Sequence, residues 1–284
     1  MTGDSSLVVA VAGLVIKVII PCHDWAAVLA ERYHAFASGE EAGWCVTVRP
    51  DASQPFEGRG WARHNEGVTD FHVYWYRGEI DLETGTAWVT APSLERLPSA
   101  LERTLTYILM QALPREQHAL LLHACGVEID GCGYAFFGPS GAGKTTVARL
   151  AQGHGEVLGD ENVVLRLTGD EVELASTPFW GSSTPPEIIH RANRSAPLAG
   201  LYSLAHASRF AVARLTPGQG VAALLKTEKV ATERVESAAA WLAVAGSIVE
   251  RVPVHLLRFA PSKELWSFLM RHGSDASPCD GADT

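Results

Sequence analysis

The chain has 284 residues, 47% of them hydrophobic and 19% charged, with a formal net charge of −9. That length suits one large or two ordinary domains with a buried core, and the acidic balance argues against nucleic acid as the main partner, because a phosphate backbone rewards basic surfaces. Five scattered cysteines without a C-x-x-C pair read as reduced cytosolic thiols rather than a disulfide frame or a zinc site.

Near the N-terminus, Leu7–Ile20 is an apolar run broken by Lys17. It lacks a basic leader and a small-residue cleavage site, and it is too short to span a bilayer. Two β-rich pieces around Gly13 are the better reading, with a cytoplasmic location and no membrane partner expected. Further strand signals follow at Cys45–Val48, Phe71–Tyr76 and Thr86–Val89, and helical periodicity runs from Asp24 to Phe36. The Pro50–Asn65 stretch reads as a loop. Residues 1–95 therefore predict a smaller N-terminal α+β domain without recognisable chemistry.

A helix is expected from Pro98 to Leu113, with Leu101, Leu105, Ile108, Leu109 and Ala112 at helical spacing and Pro114 as its stop. The domain boundary is placed just before it, so that residues 96–272 form a second domain. Ala119–Ile129 predicts a strand, Asp130-Gly131 a two-residue turn, and Cys132–Phe137 the returning antiparallel strand. Pairing Ile129 with Cys132 places His123 opposite Gly138. His123 is then either a core histidine or part of a site; the hairpin geometry favours the site.

The run Gly138-Pro139-Ser140-Gly141-Ala142-Gly143-Lys144-Thr145 matches G-x-x-x-x-G-K-[ST] at every fixed position. Glycines let backbone N–H groups turn around a phosphate, the Lys144 ammonium reaches the β- and γ-oxygens, and the Thr145 hydroxyl suits a phosphate-bound Mg²⁺. A helix beginning near Lys144 and Thr146 adds its positive end to the same anion. ATP with Mg²⁺ is the expected cofactor. Glu156–Gly159 is a short segment ending in Asp160-Glu161-Asn162. Beside a phosphate loop, one such carboxylate can hold Mg²⁺ and the other accept a hydroxyl proton; the same run also suits a solvated turn. Val163–Leu167 and Val172–Ala175 form a further hairpin. Thr177–Ser183 is either an acceptor-side loop or packing, and Leu215–Gly220 reads as a turn. Helices are expected within Lys226–Val249 and Lys263–Arg271, a strand at Val252–Phe259, and a disordered tail over 273–284.

Together, His123-Ala124-Cys125-Gly126-Val127, the Gly138–Thr145 loop and the Asp160-Glu161 pair resemble the catalytic domain of HPr kinase/phosphorylase and the wider set of HPr-kinase-like proteins. The resemblance covers residues 118–204. It implies an α/β fold of the HPr kinase / PEP carboxykinase type, in which a hairpin precedes a P-loop. It also implies Asp160 as general base, Glu161 and Thr145 as metal-binding groups, and Arg194 as a catalytic cation. Asn193–Leu204 has no counterpart of the glycine-rich segment that follows the arginine in HPr kinases, so the resemblance does not extend to HPr as acceptor or to phosphorolysis. The expected function is transfer of the γ-phosphoryl group of ATP to a hydroxyl on a protein, peptide or small molecule. The alternative is a non-transferring ATP-binding or ATPase sensor. A GTPase is disfavoured because no Asn-Lys-x-Asp motif occurs. The acceptor is unnamed, and self-association into a homo-oligomer is left open.

Overall fold

Ala12 and Gly13 both hold positive φ, 49° and 89°, the backbone that a two-residue hairpin between twisted strands requires. They join β1 (Ser5–Val11) to β2 (Leu14–Ile20) in antiparallel register. The computed structural model describes residues 5–51, 60–65, 67–73, 75–181, 184, 186–189, 192–227 and 238–272. The tail expected over 273–284, much of the Pro50–Asn65 stretch, and residues 228–237 lie outside them. The chain divides into two units, Met1–Glu116 and Gln117–Thr284.

In the first unit, α1 (His23–Tyr33) and a 3-10 turn at His34–Phe36 follow β2, and then come β3 (Trp44–Pro50), β4 (Trp61–Asn65), β5 (Val68–Val73), β6 (Tyr76–Asp81) and β7 (Thr86–Ala91). Among the described residues they form a seven-stranded sheet in the order β1-β2-β3-β7-β6-β5-β4. The pairs β2–β3 and β3–β7 are parallel and the others antiparallel. Two expectations change. Phe71–Tyr76 is the join between β5 and β6 rather than one strand, and β4 lies inside the stretch read as loop.

Helix α2 (Leu97–Glu116) packs on β2, β6 and β7 and buries Leu97, Leu101, Leu105, Ile108 and Leu109. Pro114 does not stop it. A proline inside a helix costs about 3 kcal/mol at most positions, whereas each buried Leu or Ile contributes roughly 1.5–3 kcal/mol, so the apolar face carries the helix through its last turn. The same face assigns α2 to the first unit, and the division falls after residue 116, not after 95.

The second unit contains β8 (Ala119–Leu122), β9 (Ala124–Ile129), β10 (Cys132–Phe137), α3 (Lys144–Ala151), β11 (Glu156–Gly159), β12 (Val163–Thr168) and β13 (Glu171–Ala175). After these come β14 (Ser195–His206), β15 (Ala211–Arg214), α4 (Pro217–Leu225), α5 (Ala238–Arg251), β16 (Val254–Phe259) and α6 (Leu265–His272). The sheet runs β11-β9-β10-β14-β13-β12-β8, with β16 also beside β14 and β15 beside β16. Asp130 and Gly131 have φ of 50° and 78°, and the β9–β10 register pairs Ile129 with Cys132 and Ala124 with Phe137.

The strand expected over Ala119–Ile129 is broken at His123: β9 pairs with β10 and β11, whereas β8 pairs with β12. The chain changes sheet partner at that residue. Alternation then divides the core. Ala124, Ala135 and Phe137 pack with α4 and α5 through Leu224, Trp241 and Ile248, while Cys125 and Phe136 pack with α3 and α6 through Val147, Ala148, Leu265 and Trp266. The Leu215–Gly220 stretch, expected as a turn, caps α4 instead. Thr216 accepts from the Gln219 N–H, Gln219 bonds back to Thr216 N–H, and Pro217 opens the helix. No described helix is long and apolar enough to cross a membrane.

Candidate functional site

Strands β10, β14 and β16 are mutually parallel neighbours, so their carboxyl ends share one edge of the sheet. β11 is antiparallel to β9, itself antiparallel to β10, and therefore also ends at that edge. Ligands of open α/β sheets bind outside the carboxyl ends of parallel strands. The Gly138–Thr145 run leaves β10 there and enters α3, with Gly138, Gly141 and Gly143 at φ of 157°, 81° and 106°. Ala142 N–H donates to the Pro139 carbonyl at 3.0 Å and closes the turn. Pro139, Ser140 and Gly141 are exposed, and Thr145 and Thr146 are half-buried at the start of α3. Gly143 caps α3 without a side chain, so the first N–H groups of the helix, which lack intrahelical partners, face the loop.

Lys144 is buried, and its Nζ donates to the carbonyls of Gly138 at 2.8 Å and Pro139 at 3.4 Å. Its ammonium therefore stands over the first residues of the loop. On the far side, His206 at the end of β14 donates from Nε2 to the Gly141 carbonyl at 2.6 Å, and it stacks on Phe259 at the end of β16 with ring centroids 6.1 Å apart. The carbonyl can only accept, which fixes the proton on Nε2. A Cβ at Gly143 would lie 2.6 Å from Phe259 Cζ. Neither His206 nor Phe259 was singled out from sequence, since no motif marks a strand end.

Asp160 follows β11 and is 3% exposed. Thr184 Oγ1 donates to its Oδ2 at 2.9 Å, and the Thr145 hydroxyl stands near enough to favour the charged carboxylate. Asp160 Oδ1 is buried and makes no hydrogen bond of ordinary geometry among the described residues. Burial pushes the Asp160 carboxyl above its ordinary range, and repulsion from Glu161 adds to this; the two threonine hydroxyls and Lys144 pull the other way. Beneath them, burial also raises the Cys125 thiol, leaving it neutral.

Glu161 is held by His123. The His123 Nδ1–H donates to the Glu161 main-chain carbonyl at 2.7 Å, and Glu161 Oε1 is 3.4 Å from the same nitrogen. The chain after β13 returns over this acidic pair: Thr177 Oγ1 donates to the Asn162 carbonyl at 2.8 Å, and Thr184 reaches Asp160. Of the Thr177–Ser183 segment, Ser182 and Ser183 lie outside the described residues.

Arg194 is elsewhere. It precedes β14 and pairs with Glu128, at 2.9 Å, and with Glu156. Glu156 opens β11, four residues before Asp160, which at about 3.3 Å per residue puts the guanidinium roughly 13 Å along the strand from the acidic pair. The catalytic cation expected there is an ion-paired residue at the opposite edge of the sheet. His123, Lys144, Thr145, Asp160 and Glu161 do come together.

This donor set suits Mg²⁺ bound with a triphosphate. Mg²⁺ takes one or two carboxylates, retains waters and shares phosphate oxygens, so it needs no all-protein cage, and among the described residues no group of three or more His, Cys, Asp or Glu forms one. A buried oxygen without a partner costs about 1–3 kcal/mol. A cation or a donated proton at Asp160 Oδ1 would relieve that cost.

No curated protein matches the chain. Among solved structures, the HPr(Ser) kinase/phosphatase from Coxiella burnetii aligns with 54% of this chain and 95% of its own, at 13% identity and a TM-score of 0.32. The sequence family described as SynChlorMet cassette protein ScmC matches residues 99–271, more than half of the 284 residues, and the chain belongs to that family.

Proposed function

We propose that this protein binds Mg²⁺ and ATP at Gly138–Thr145 and transfers the γ-phosphoryl group to a hydroxyl on a protein, peptide or small molecule. One observation carries the reading: a loop of the G-x-x-x-x-G-K-[ST] pattern lies beside a buried carboxylate, Asp160, with one oxygen free of ordinary hydrogen bonds. The loop N–H groups and the start of α3 hold phosphate oxygens. Lys144 exchanges its two carbonyl partners for the phosphates. Thr145 and Glu161 hold Mg²⁺, whose chemistry when bound is to neutralise charge on the phosphate oxygens. Asp160 accepts the proton of the attacking hydroxyl; a carboxyl raised toward neutral pH by burial is a stronger base than an exposed one. His123 fixes the orientation of Glu161, and Arg194 has no part.

Calorimetry with Mg²⁺ and ATP tests the site. Lys144→Ala removes a charged partner, worth about 1.5–3 kcal/mol, and should weaken binding roughly 10- to 150-fold. Equal affinity in this variant would refute the loop assignment. ADP release accelerated by a hydroxyl acceptor supports transfer; release to water alone supports the sensor.

A further inference from the structure

Thr184 brings a hydroxyl of the chain itself to Asp160. Its Oγ1–H donates to Oδ2 at 2.9 Å, and the two residues are 6% and 3% exposed. The Thr184 backbone N–H donates to the Gly181 carbonyl at 3.0 Å. Gly181 packs closely against the same groups: a Cβ there would stand 3.1 Å from Glu161 Oε2 and 3.2 Å from Thr184 Oγ1. A hydroxyl within hydrogen-bond reach of a base, beside a phosphate loop, stands as an acceptor must stand.

We infer that Thr184 is a site of phosphorylation in cis, with ATP held at Gly138–Thr145 as the donor; this rests on the reading of that site given above. Thr184 Oγ1 attacks the γ-phosphorus, and the bond from that phosphorus to the β–γ bridging oxygen breaks. The hydroxyl proton passes to Asp160, and ADP leaves. A hydroxyl already oriented within the chain needs no encounter, and effective molarities for such reactions reach about 10⁵–10⁸ M, so Thr184 precedes any external acceptor. The new phosphate, with a charge of about −1.5 to −2, would face Asp160 and Glu161. Repulsion then drives the phosphorylated Thr184 side chain off the carboxylate, which limits the reaction to one turnover and leaves Asp160 able to accept a proton from another hydroxyl.

The test incubates the full chain with Mg²⁺ and γ-labelled ATP, locates phosphate by fragment mass spectrometry, and measures ATP affinity on the same sample. Expected are no more than one phosphoryl group per chain, carried on Thr184, and a rate per chain unchanged by dilution. Thr184→Val should lose the label and Thr184→Ser should keep it. If ATP binds but the phosphate is absent, or sits on Ser182, Ser183 or another residue instead, the inference is overturned and the nucleotide site stands. A rate that falls on dilution overturns the cis step alone. Failure to bind ATP overturns both.

Discussion

The Nδ1 of His123 lies 2.7 Å from the main-chain carbonyl oxygen of Glu161. Because a carbonyl only accepts, the ring carries its proton on Nδ1 and, when neutral, leaves Nε2 as an acceptor. The bond ties the point where the chain passes from β8 to β9 to the point where it leaves β11. It therefore holds the acidic pair against the start of β9, one residue beyond the Ala124–Phe137 pair that ends the hairpin.

His123→Ala should cost about 0.5–1.5 kcal/mol of stability, the usual net worth of one hydrogen bond. It should lower phosphoryl transfer more than ATP affinity, since the lost bond orients Glu161 rather than the loop. Chemical denaturation, calorimetry and single-turnover transfer on one preparation would check this. A variant that loses ATP affinity while transferring normally would place His123 in nucleotide binding instead.

Arg194 gives a contrast. Its partners Glu128 and Glu156 hold it on a half-exposed surface, where ion pairs contribute about 0–1 kcal/mol. Arg194→Ala should leave ATP affinity and transfer rate unchanged and lower stability by no more than that. A large fall in transfer rate at unchanged stability would return Arg194 to the site.

What the sequence made legible was local. Asp130-Gly131 demands positive φ at both residues, so the β9–β10 register followed from the turn alone, and with it the position of His123 beside the loop. The phosphate-loop pattern likewise set its own strand and helix. Non-local facts were hidden. Nothing in Ala119–Ile129 marks the change of partner at His123, because β8 and the first four residues of β9 are both buried and uncharged and only the positions of β12 and β10 decide it. Arg194 was placed by its position after a loop, but strand direction decides which edge it occupies. His206 and Thr184 reach the site through hydrogen bonds across 65 and 24 residues. One miss was avoidable: Thr216-Pro217-Gly218-Gln219 is a capping box with proline at the first helical position, a start signal that was readable as it stood.

Asp160 links stability to pH. Burial raises its carboxyl pKa in the folded chain above the ordinary 3.8. Between those two values the folded state binds more protons than the unfolded state, so this group's contribution to stability falls as pH rises through the window. Asp160→Asn removes the ionisation while keeping an oxygen for Thr184. Without nucleotide, the variant should melt at a higher temperature than the parent near pH 7, and the gap should close as pH falls toward 3.8. With Mg²⁺ and ATP it should bind normally and transfer about 10²–10⁴-fold more slowly, the usual worth of general-base help. A lower melting temperature at pH 7 would mean that the attraction of Lys144 outweighs burial, and the base assignment would lose its physical support.

Two glycines in the loop separate backbone strain from packing. Gly141 has φ of 81°, and a Cβ there would meet nothing within 4 Å, whereas at Gly143, with φ of 106°, that atom would lie 2.6 Å from Phe259 Cζ. Gly141→Ala should therefore cost only the left-handed backbone penalty, about 1–2 kcal/mol. Gly143→Ala carries that penalty and must also displace Phe259, which is 1% exposed; overpacking of this kind adds roughly 1–3 kcal/mol. At about 2–4 °C per kcal/mol for a domain of this size, thermal melts resolve the two. Gly143→Ala should fall further, and adding Phe259→Leu should recover part of its loss but none of that in Gly141→Ala. Moving Phe259 also disturbs His206, which stacks on it and donates to the Gly141 carbonyl, so Gly143→Ala should weaken ATP binding beyond what its backbone strain explains. Equal losses for the two glycine variants would mean that Phe259 yields freely and does not brace the loop.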